Sequence, residues 1–177
     1  MKKVILLLLV ILMCILPVRA DLILTGGVDY TVKSAREELL NEAQSQIDLR
    51  LIALNMYDVR YQENIKCLLK GETSLKDRTL ASFSDSTYAV MYNSDKFHVW
   101  YYSNEGILLY AEKKDGIGYP YKSFKYDING KLVNMGLRVS KGETFIYTPN
   151  GKLLAHWVDS KGYDEFGKIV MTREYYE

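Results

Sequence analysis

The sequence has little of what catalytic and metal sites are usually made from. Its 177 residues include only two histidines and two cysteines. His98 and His156 lie inside aromatic or aliphatic runs, and no nucleophile motif accompanies either. A nucleophile needs a base within reach, and a zinc site needs several ligands at short spacing. No glycine-rich nucleotide-binding signature is present either, so we expect a non-catalytic protein with no cofactor and no metal.

Cysteines are too few for a disulfide scaffold. Cys14 lies in an N-terminal apolar run, and Cys67 lies in the helical context Ile-Lys-Cys-Leu-Leu. Loss of the N-terminal run would leave one thiol, which allows no intrachain disulfide. We therefore expect Cys67 to be buried as a small hydrophobic residue.

The first 20 residues have the pattern of a secretory signal peptide. Lys2 and Lys3 precede an uninterrupted apolar run from Val4 to Leu16, and a small residue, Ala20, ends the segment. This pattern predicts export with cleavage after Ala20, to the periplasm or the extracellular cell surface. A retained N-terminal anchor is the alternative, although the run is shorter than the roughly 20 apolar residues of a membrane span. We expect no stable membrane span after cleavage.

An excess of charge of one sign is also absent. The chain has 23 basic and 22 acidic residues, and cleavage would remove three basic residues, leaving 20 against 22. The basic residues are dispersed rather than clustered. A near-neutral chain of this kind offers no electrostatic basis for binding nucleic acid.

Apolar residues recur at helical spacing in the N-terminal part of the chain, at Leu39, Leu40, Ala43, Ile47, Leu51 and Leu54. Ser34 and Glu37 fit a capping box at the start of this helix. Asp58 can cap a second helical stretch and Gly71 can end it. One long helix with a bend near Asn55 is the alternative. We expect these helices to cover one face of a sheet.

One short sequence pattern recurs four times in the C-terminal half, at residues 102–108, 126–132, 147–153 and 163–169. In each copy a tyrosine stands four residues before a glycine, and a leucine or isoleucine stands two residues after it. The Asn-Gly pairs at 129–130 and 150–151 are typical of a primed two-residue β-turn, whose central residues take positive φ. Aromatic and β-branched residues flank the turns. The pattern predicts one hairpin per unit.

These observations predict an α+β fold, in which an N-terminal helix or helix pair packs on an antiparallel β-meander built from repeated hairpins. We assign residues 1–20 to the signal peptide, 21–75 to the helical segment and 76–177 to the β-repeat sheet. Residues 21–75 and 76–177 are expected to form one compact domain.

The repeat tyrosines are the candidate binding surface, because equivalent positions in a regular meander form a row: Tyr102, Tyr126, Tyr147 and Tyr163. Two alternatives are open. The row is either a packing spine between hairpins or an exposed aromatic strip that stacks on a glycan or a partner protein.

The pattern Tyr-x-x-Asn-Gly-Lys-Leu at 126–132 and 147–153 resembles the MORN-variant repeats of bacteria, which are often labelled antitoxin-component-like. The resemblance covers about residues 97–177. It implies a β-meander used for binding or as a structural surface, with no shared catalytic residues. A weaker resemblance, carried by Trp100-Tyr-Tyr102, is to the aromatic repeats of cell-wall-binding modules. It adds Trp100 and Trp157 to the candidate binding residues.

Three functional hypotheses follow. The first is an exported binding protein that engages an envelope protein or glycan. The second is an envelope-directed hydrolase that uses His98 or His156 with a carboxylate. The third is a purely structural envelope protein whose open sheet edge pairs with other copies of the chain.

Overall fold

The computed structural model describes residues 30–43 and 47–172. These residues form three helices and one sheet. The helices are α1 (Val32–Leu40), α2 (Leu49–Leu54) and α3 (Tyr61–Leu69). No helix within the described ranges is long and apolar enough to cross a membrane. The predicted signal peptide and its cleavage site lie outside the described residues.

Local capping accounts for the start of α1, and a left-handed glycine follows the end of α3. Thr31 caps α1, because its Oγ1 accepts from the backbone N–H of Ser34 while Ser34 Oγ accepts from the N–H of Thr31. The predicted capping box at Ser34 and Glu37 is therefore wrong by one turn, because Ser34 already occupies the third helical position. Asp58 Oδ1 accepts from the N–H of Arg60 ahead of α3, and Gly71, at φ +74°, follows its last residues as predicted.

The sheet is an antiparallel meander in which each strand pairs with the next one along the chain. Its ten strands are β1 (Arg78–Ser82), β2 (Tyr88–Tyr92), β3 (Asp95–Tyr102), β4 (Leu108–Lys114), β5 (Tyr121–Asp127), β6 (Leu132–Arg138), β7 (Glu143–Tyr147), β8 (Leu153–Val158), β9 (Lys161–Tyr163) and β10 (Ile169–Thr172). The α+β class and the meander are confirmed, with more of the described chain in strands than in helices. Three short helices replace the predicted one or two.

The sequence repeat corresponds to every second hairpin of the meander. In each copy the tyrosine pairs across the hairpin with the aliphatic residue that follows the glycine, as Tyr126 does with Leu132. The same pairing joins residues 102 and 108, 147 and 153, and 163 and 169. Ser82 and Tyr88 pair in the same way across the first hairpin. The structure thus contains five equivalent hairpins, one more than the sequence indicates.

The repeat turn is a three-residue loop, not the primed two-residue turn that Asn-Gly predicts. The N–H of Gly130 donates to Asp127 O at 3.0 Å, and the N–H of Asp127 donates to Lys131 O at 2.9 Å. Gly130 has φ +76°, whereas Ser86 and Asp159 are the only non-glycine residues with positive φ among those described. A type I turn followed by one left-handed residue has this geometry. Only the glycine needs the left-handed conformation, and Ser86 occupies its place in the first hairpin.

The residue after each repeat tyrosine stabilises the turn through its side chain. Asp127 Oδ1 accepts from the N–H groups of Asn129 and Lys131, both at 2.9 Å. Ser103, Thr148 and Asp164 accept from loop N–H groups at the corresponding positions. Short polar side chains satisfy turn amides in this way. These hydrogen bonds help to give the four repeat hairpins the same strand register.

The three described helices lie against one face of the sheet and form the core with it. The buried side chains of this face come from β1 to β8 and include Leu80, Tyr88, Trp100, Tyr102, Phe124, Tyr126, Met135, Phe145 and Tyr147. Ala35 and Leu39 of α1 and Ile52 of α2 complete the cluster. Cys67 packs against the edge of this core and is partly buried, so its predicted burial is observed only in part.

The helices lie along the row of repeat turns. From α1 to α3, each successive helix contacts a turn that lies earlier in the sheet. A Cβ placed on Gly151 would contact Arg36 and Leu40 of α1, and one on Gly130 would contact Leu49 of α2. One placed on Gly106 would lie 2.6 Å from the Cβ of Tyr61 in α3. The missing side chains of these glycines therefore let the helices approach the turns closely.

A buried polar network attaches α3 to the first two strands. Asp58 Oδ2 accepts from the Tyr88 hydroxyl at 2.6 Å and from Asn64 Nδ2 at 2.7 Å. Arg78 Nε donates to Asn64 Oδ1 at 2.7 Å, and its Nη2 lies 2.8 Å from Glu63 Oε1. Burial and the Asp58 carboxylate raise the pKa of Tyr88 far above its ordinary value, so this hydroxyl stays a donor.

Candidate functional site

The repeat tyrosines do line up, but three of them lie in the core. Tyr102, Tyr126 and Tyr147 are each 1% exposed on the helix side of the sheet. Tyr147 donates its hydroxyl to Val32 O at 2.7 Å, and burial raises its pKa to about 12. These three side chains therefore form a packing spine and not an exposed strip. A ring with no accessible face cannot stack on a ligand.

The other candidate residues lie apart from one another. Trp100 is buried on the helix side next to the ring of His98. Tyr163 is partly exposed on that side and pairs with His156 across β8 and β9. Trp157 lies on the opposite face, over Gly162. The structure thus does not assemble the six predicted residues into one surface.

A different set of aromatic side chains lies on the face opposite the helices. Cross-strand pairing places the following residues on that face: Tyr101, Tyr110, Glu112, Lys114, Tyr121, Lys125 and Arg138. We call this surface the outer face. Tyr119, in the β4–β5 connection, adds its ring by stacking on Tyr121 at 5.8 Å between centroids. Aromatic and cationic side chains therefore alternate across β3 to β6.

One half of the outer face centres on Lys125. Its ammonium lies 3.7 Å from the centroid of the Tyr101 ring and 5.8 Å from that of Tyr110. Tyr101 donates its hydroxyl to Glu112. Burial and the neighbouring carboxylate raise the pKa of Tyr101, while burial lowers the pKa of Lys125. The lysine charge is thus held against aromatic faces at a partly desolvated position.

The other half centres on Arg138. Its guanidinium carbon lies 5.9 Å from the Tyr119 ring centroid, and its Nη1 donates to the Tyr121 hydroxyl at 3.5 Å. Its Nη2 donates to Lys141 O, also at 3.5 Å. Both distances are long for N–H···O bonds. Its buried Nε has no hydrogen-bond partner among the described residues, so this guanidinium keeps unused donor capacity.

Lys114 lies between the two halves. Its ammonium lies 5.6 Å from the Tyr121 centroid and 3.1 Å from Met91 Sδ, and burial lowers its pKa. The centre of the outer face therefore holds three cations and one carboxylate, a net charge of +2. Asp95, at the margin, is engaged by His98. Tyr110 and Tyr119 remain 39% and 47% exposed, so their rings are accessible to a ligand.

Each histidine is paired with a carboxylate. His98 Nδ1 lies 2.8 Å from Asp95 Oδ2, and His156 Nε2 lies 2.8 Å from Oε1 of the buried Glu143. The ring of His156 stacks on Phe145 at 4.0 Å. Neither histidine lines either of the two cavities described below. Each pair is an acid–base couple that lies outside both of these cavities.

The two cavities lie on the helix side of the protein. One of about 300 Å³ lies between the start of α1 and the third repeat turn, where Arg36, Lys152 and Glu165 line it. The other, of about 430 Å³, lies beside α3 and is lined by Tyr61, Ile65 and Leu69. Within the described ranges, no group of three or more histidine, cysteine or carboxylate residues is placed to hold a metal ion.

Comparison of the chain with protein-family models, curated proteins and solved structures finds no match. The candidate site therefore rests on geometry. Sequence reasoning missed the outer face, although the period-two alternation of Tyr110, Glu112 and Lys114 in β4 is a signal that could have found it.

Proposed function

We propose that the chain is an exported, non-catalytic binding protein whose MORN-like β-repeat sheet engages an envelope protein or glycan. The observation that carries this proposal is the outer face, where the partly exposed Tyr110 and Tyr119 stand beside Lys125 and Arg138. The five equivalent hairpins support a MORN-like sheet. The signal-peptide pattern of residues 1–20 supports export.

Tyrosine suits a binding surface because it offers a large contact area with few rotatable bonds and a polar tip. On the outer face neighbouring rings and cations pack against the tyrosines. The ring of Tyr121, for example, stacks on that of Tyr119 with 5.8 Å between centroids. A surface held in place before binding loses less entropy when a ligand arrives. The outer face therefore has the properties of a binding surface, whereas the helix-side tyrosines serve packing.

The test is retention on envelope fractions. The full sequence is expressed, the form that accumulates is purified, and it is incubated with insoluble wall polymer or with extracted envelope proteins. The test variant carries Tyr110→Ala and Tyr119→Ala. The matched control is Tyr57→Ala, which removes a tyrosine that is 70% exposed in the segment joining α2 and α3.

We expect retention by one fraction, lost in the double variant and kept in the control. Retention on the polymer identifies a glycan ligand, and capture of one discrete protein identifies a protein partner. Loss of retention in the Tyr57→Ala control alone would place the binding surface elsewhere. Retention of the unaltered protein by neither fraction would contradict the proposal and leave the structural hypothesis, which a concentration-dependent sedimentation profile would reveal.

A hydrolase is the second candidate, because His156 and the buried Glu143 form a pair at 2.8 Å. A histidine oriented by a carboxylate is an arrangement used for general base catalysis. Release of soluble fragments from wall polymer, abolished by His156→Ala but unaffected by Tyr110→Ala, would favour this candidate over the binding protein. The absence of any released fragment would exclude it for that polymer.

A further inference from the structure

We propose that the ligand of the outer face is an anionic glycan, whose carboxylate or phosphate group binds between Arg138 and Lys114 while its sugar rings pack on Tyr110, Tyr119 and Tyr121. This inference rests on the proposed function and adds the chemical class of the ligand and the residues that select it.

The guanidinium of Arg138 is the group best placed to bind an oxyanion. Its Nη1 and Nη2 make only long contacts of 3.5 Å, and its buried Nε has no partner among the described residues. Planar guanidinium groups bind carboxylate and phosphate through paired N–H donors. An oxyanion beside Nη1 and Nη2 would therefore accept shorter hydrogen bonds than these two donors make within the protein.

The charge balance of the outer face favours a ligand with negative charge. At the centre of the outer face Lys114, Lys125 and Arg138 lie around one carboxylate, Glu112, which already accepts from Tyr101. Two further carboxylates, Asp95 and Asp127, lie at its margins and are engaged by His98 and by the turn amides of residues 129 and 131. Burial lowers the pKa of both lysines, so an opposite charge beside them would restore their ordinary preference for the charged form. A neutral ligand would leave this excess of positive charge uncompensated.

The aromatic rings favour a sugar chain over a small ion. Tyr119 and Tyr121 flank Arg138, and Tyr110 lies beside Lys125 farther along the same face. On β5 the positions of Tyr121 and Lys125 are four residues apart, which is about 13 Å in an extended strand. A ligand that uses both halves must therefore be elongated, with ring-shaped units as well as charge. The near-neutral balance of the chain favours a glycan over a nucleic acid.

The experiment measures affinity for charged and neutral forms of the same polymer. Polygalacturonate and its methyl ester differ in carboxylate charge, and phosphorylated starch and starch differ in phosphate. The purified protein is titrated with each polymer, together with the variants Arg138→Gln, Lys114→Gln and Lys66→Gln. Lys66 is an exposed lysine of α3 and controls for the loss of any one positive charge. Urea denaturation midpoints establish that each variant is folded. If Arg138→Gln does not fold, the binding of Lys114→Gln alone decides the test.

We expect at least one charged polymer to bind tenfold or more tightly than its neutral counterpart, a difference of about 1.4 kcal/mol. Arg138→Gln and Lys114→Gln should reduce that preference about tenfold, and Lys66→Gln should leave it unchanged. The charged polymer that binds more tightly, polygalacturonate or phosphorylated starch, shows whether the site prefers carboxylate or phosphate.

Equal binding of charged and neutral polymers, with loss of both in the Tyr110→Ala and Tyr119→Ala variant, would overturn the charge requirement and leave the proposed function intact. Tighter binding to a single-stranded DNA oligomer than to any polymer would overturn the glycan class. Binding to none of the four polymers would overturn this inference, and retention on envelope fractions then decides separately whether the proposed function also fails.

Discussion

Replacing Gly106 by alanine should destabilise the protein considerably more than the same replacement at Gly167. Both glycines have φ +77° in equivalent repeat turns, so both replacements force a side chain into the left-handed region. They differ in surroundings. A Cβ at residue 106 would lie 2.6 Å from the Cβ of Tyr61 and 3.2 Å from Asp58 O, whereas a Cβ at 167 would meet nothing within 4 Å.

The expected magnitudes follow from these distances. The left-handed conformation costs about 1–2 kcal/mol for a residue with a Cβ, and this is the whole effect at Gly167. At Gly106 the clash involves the Cβ of Tyr61 and a backbone carbonyl, which move only if α3 moves. Overpacking of this kind adds about 1–3 kcal/mol, so Gly106→Ala should lower the free energy of unfolding by about 2–5 kcal/mol.

Urea denaturation followed by tryptophan fluorescence measures both variants, and an unchanged m-value shows that the denaturation midpoint reports stability alone. An equal loss of stability at Gly106 and Gly167 would refute the reasoning. It would mean that α3 does not pack on the first repeat turn, which contains Gly106, and the arrangement of helices along the turns would then be wrong.

Three further predictions address other parts of the fold. Ser86→Gly should raise the free energy of unfolding by up to about 1 kcal/mol, because Ser86, at φ 66°, occupies the glycine position of the first hairpin. A lower urea midpoint in this variant would contradict the prediction. Arg78→Met should cost about 1–3 kcal/mol, because it leaves the buried Asn64 Oδ1 without its donor, whereas Arg60→Met, which breaks an exposed ion pair, should cost less than about 1 kcal/mol, and equal midpoints in urea would oppose this assignment. Tyr147 has a pKa raised from 10.0 to about 12, so its contribution to stability is complete below pH 10 and is lost as the pH rises towards 12. The stability of a Tyr147→Phe variant should therefore fall less between pH 10 and 12, and an identical fall in both proteins would argue against a buried hydroxyl.

The sequence was sufficient to predict the hairpins, because the repeat carries the determinants of its own turn. The glycine and the residue that follows each tyrosine are local features, and local features appear in a sequence pattern. The type of turn was less accessible, since Asn-Gly is compatible with a primed turn and with a type I turn followed by a left-handed glycine. The equivalence of the first hairpin to the repeat copies escaped notice because Ser86 stands where the other copies have glycine.

The candidate site was harder to predict, because alternation gives two faces of a strand but does not say which one the helices cover. Tyr101 and Tyr102 are adjacent and chemically identical, yet Tyr102 packs in the core while Tyr101 lies on the outer face. The equivalence of the repeat tyrosines indicated a common environment, and that environment proved to be the core. The cations of the outer face are dispersed in sequence, from Lys114 to Arg138, and only strand pairing brings them together.

The most direct test of this account is nitration of tyrosines by tetranitromethane, with modified residues identified by peptide mass spectrometry. In the free protein we expect Tyr57, Tyr110 and Tyr119 to react and the buried Tyr102 and Tyr126 to be protected. Addition of polygalacturonate or phosphorylated starch, whichever binds, should protect Tyr110 and Tyr119 and leave Tyr57 reactive. Ready nitration of Tyr102 and Tyr126, or ligand protection at Tyr57 in place of Tyr110 and Tyr119, would contradict the assignment of the outer face as the binding surface.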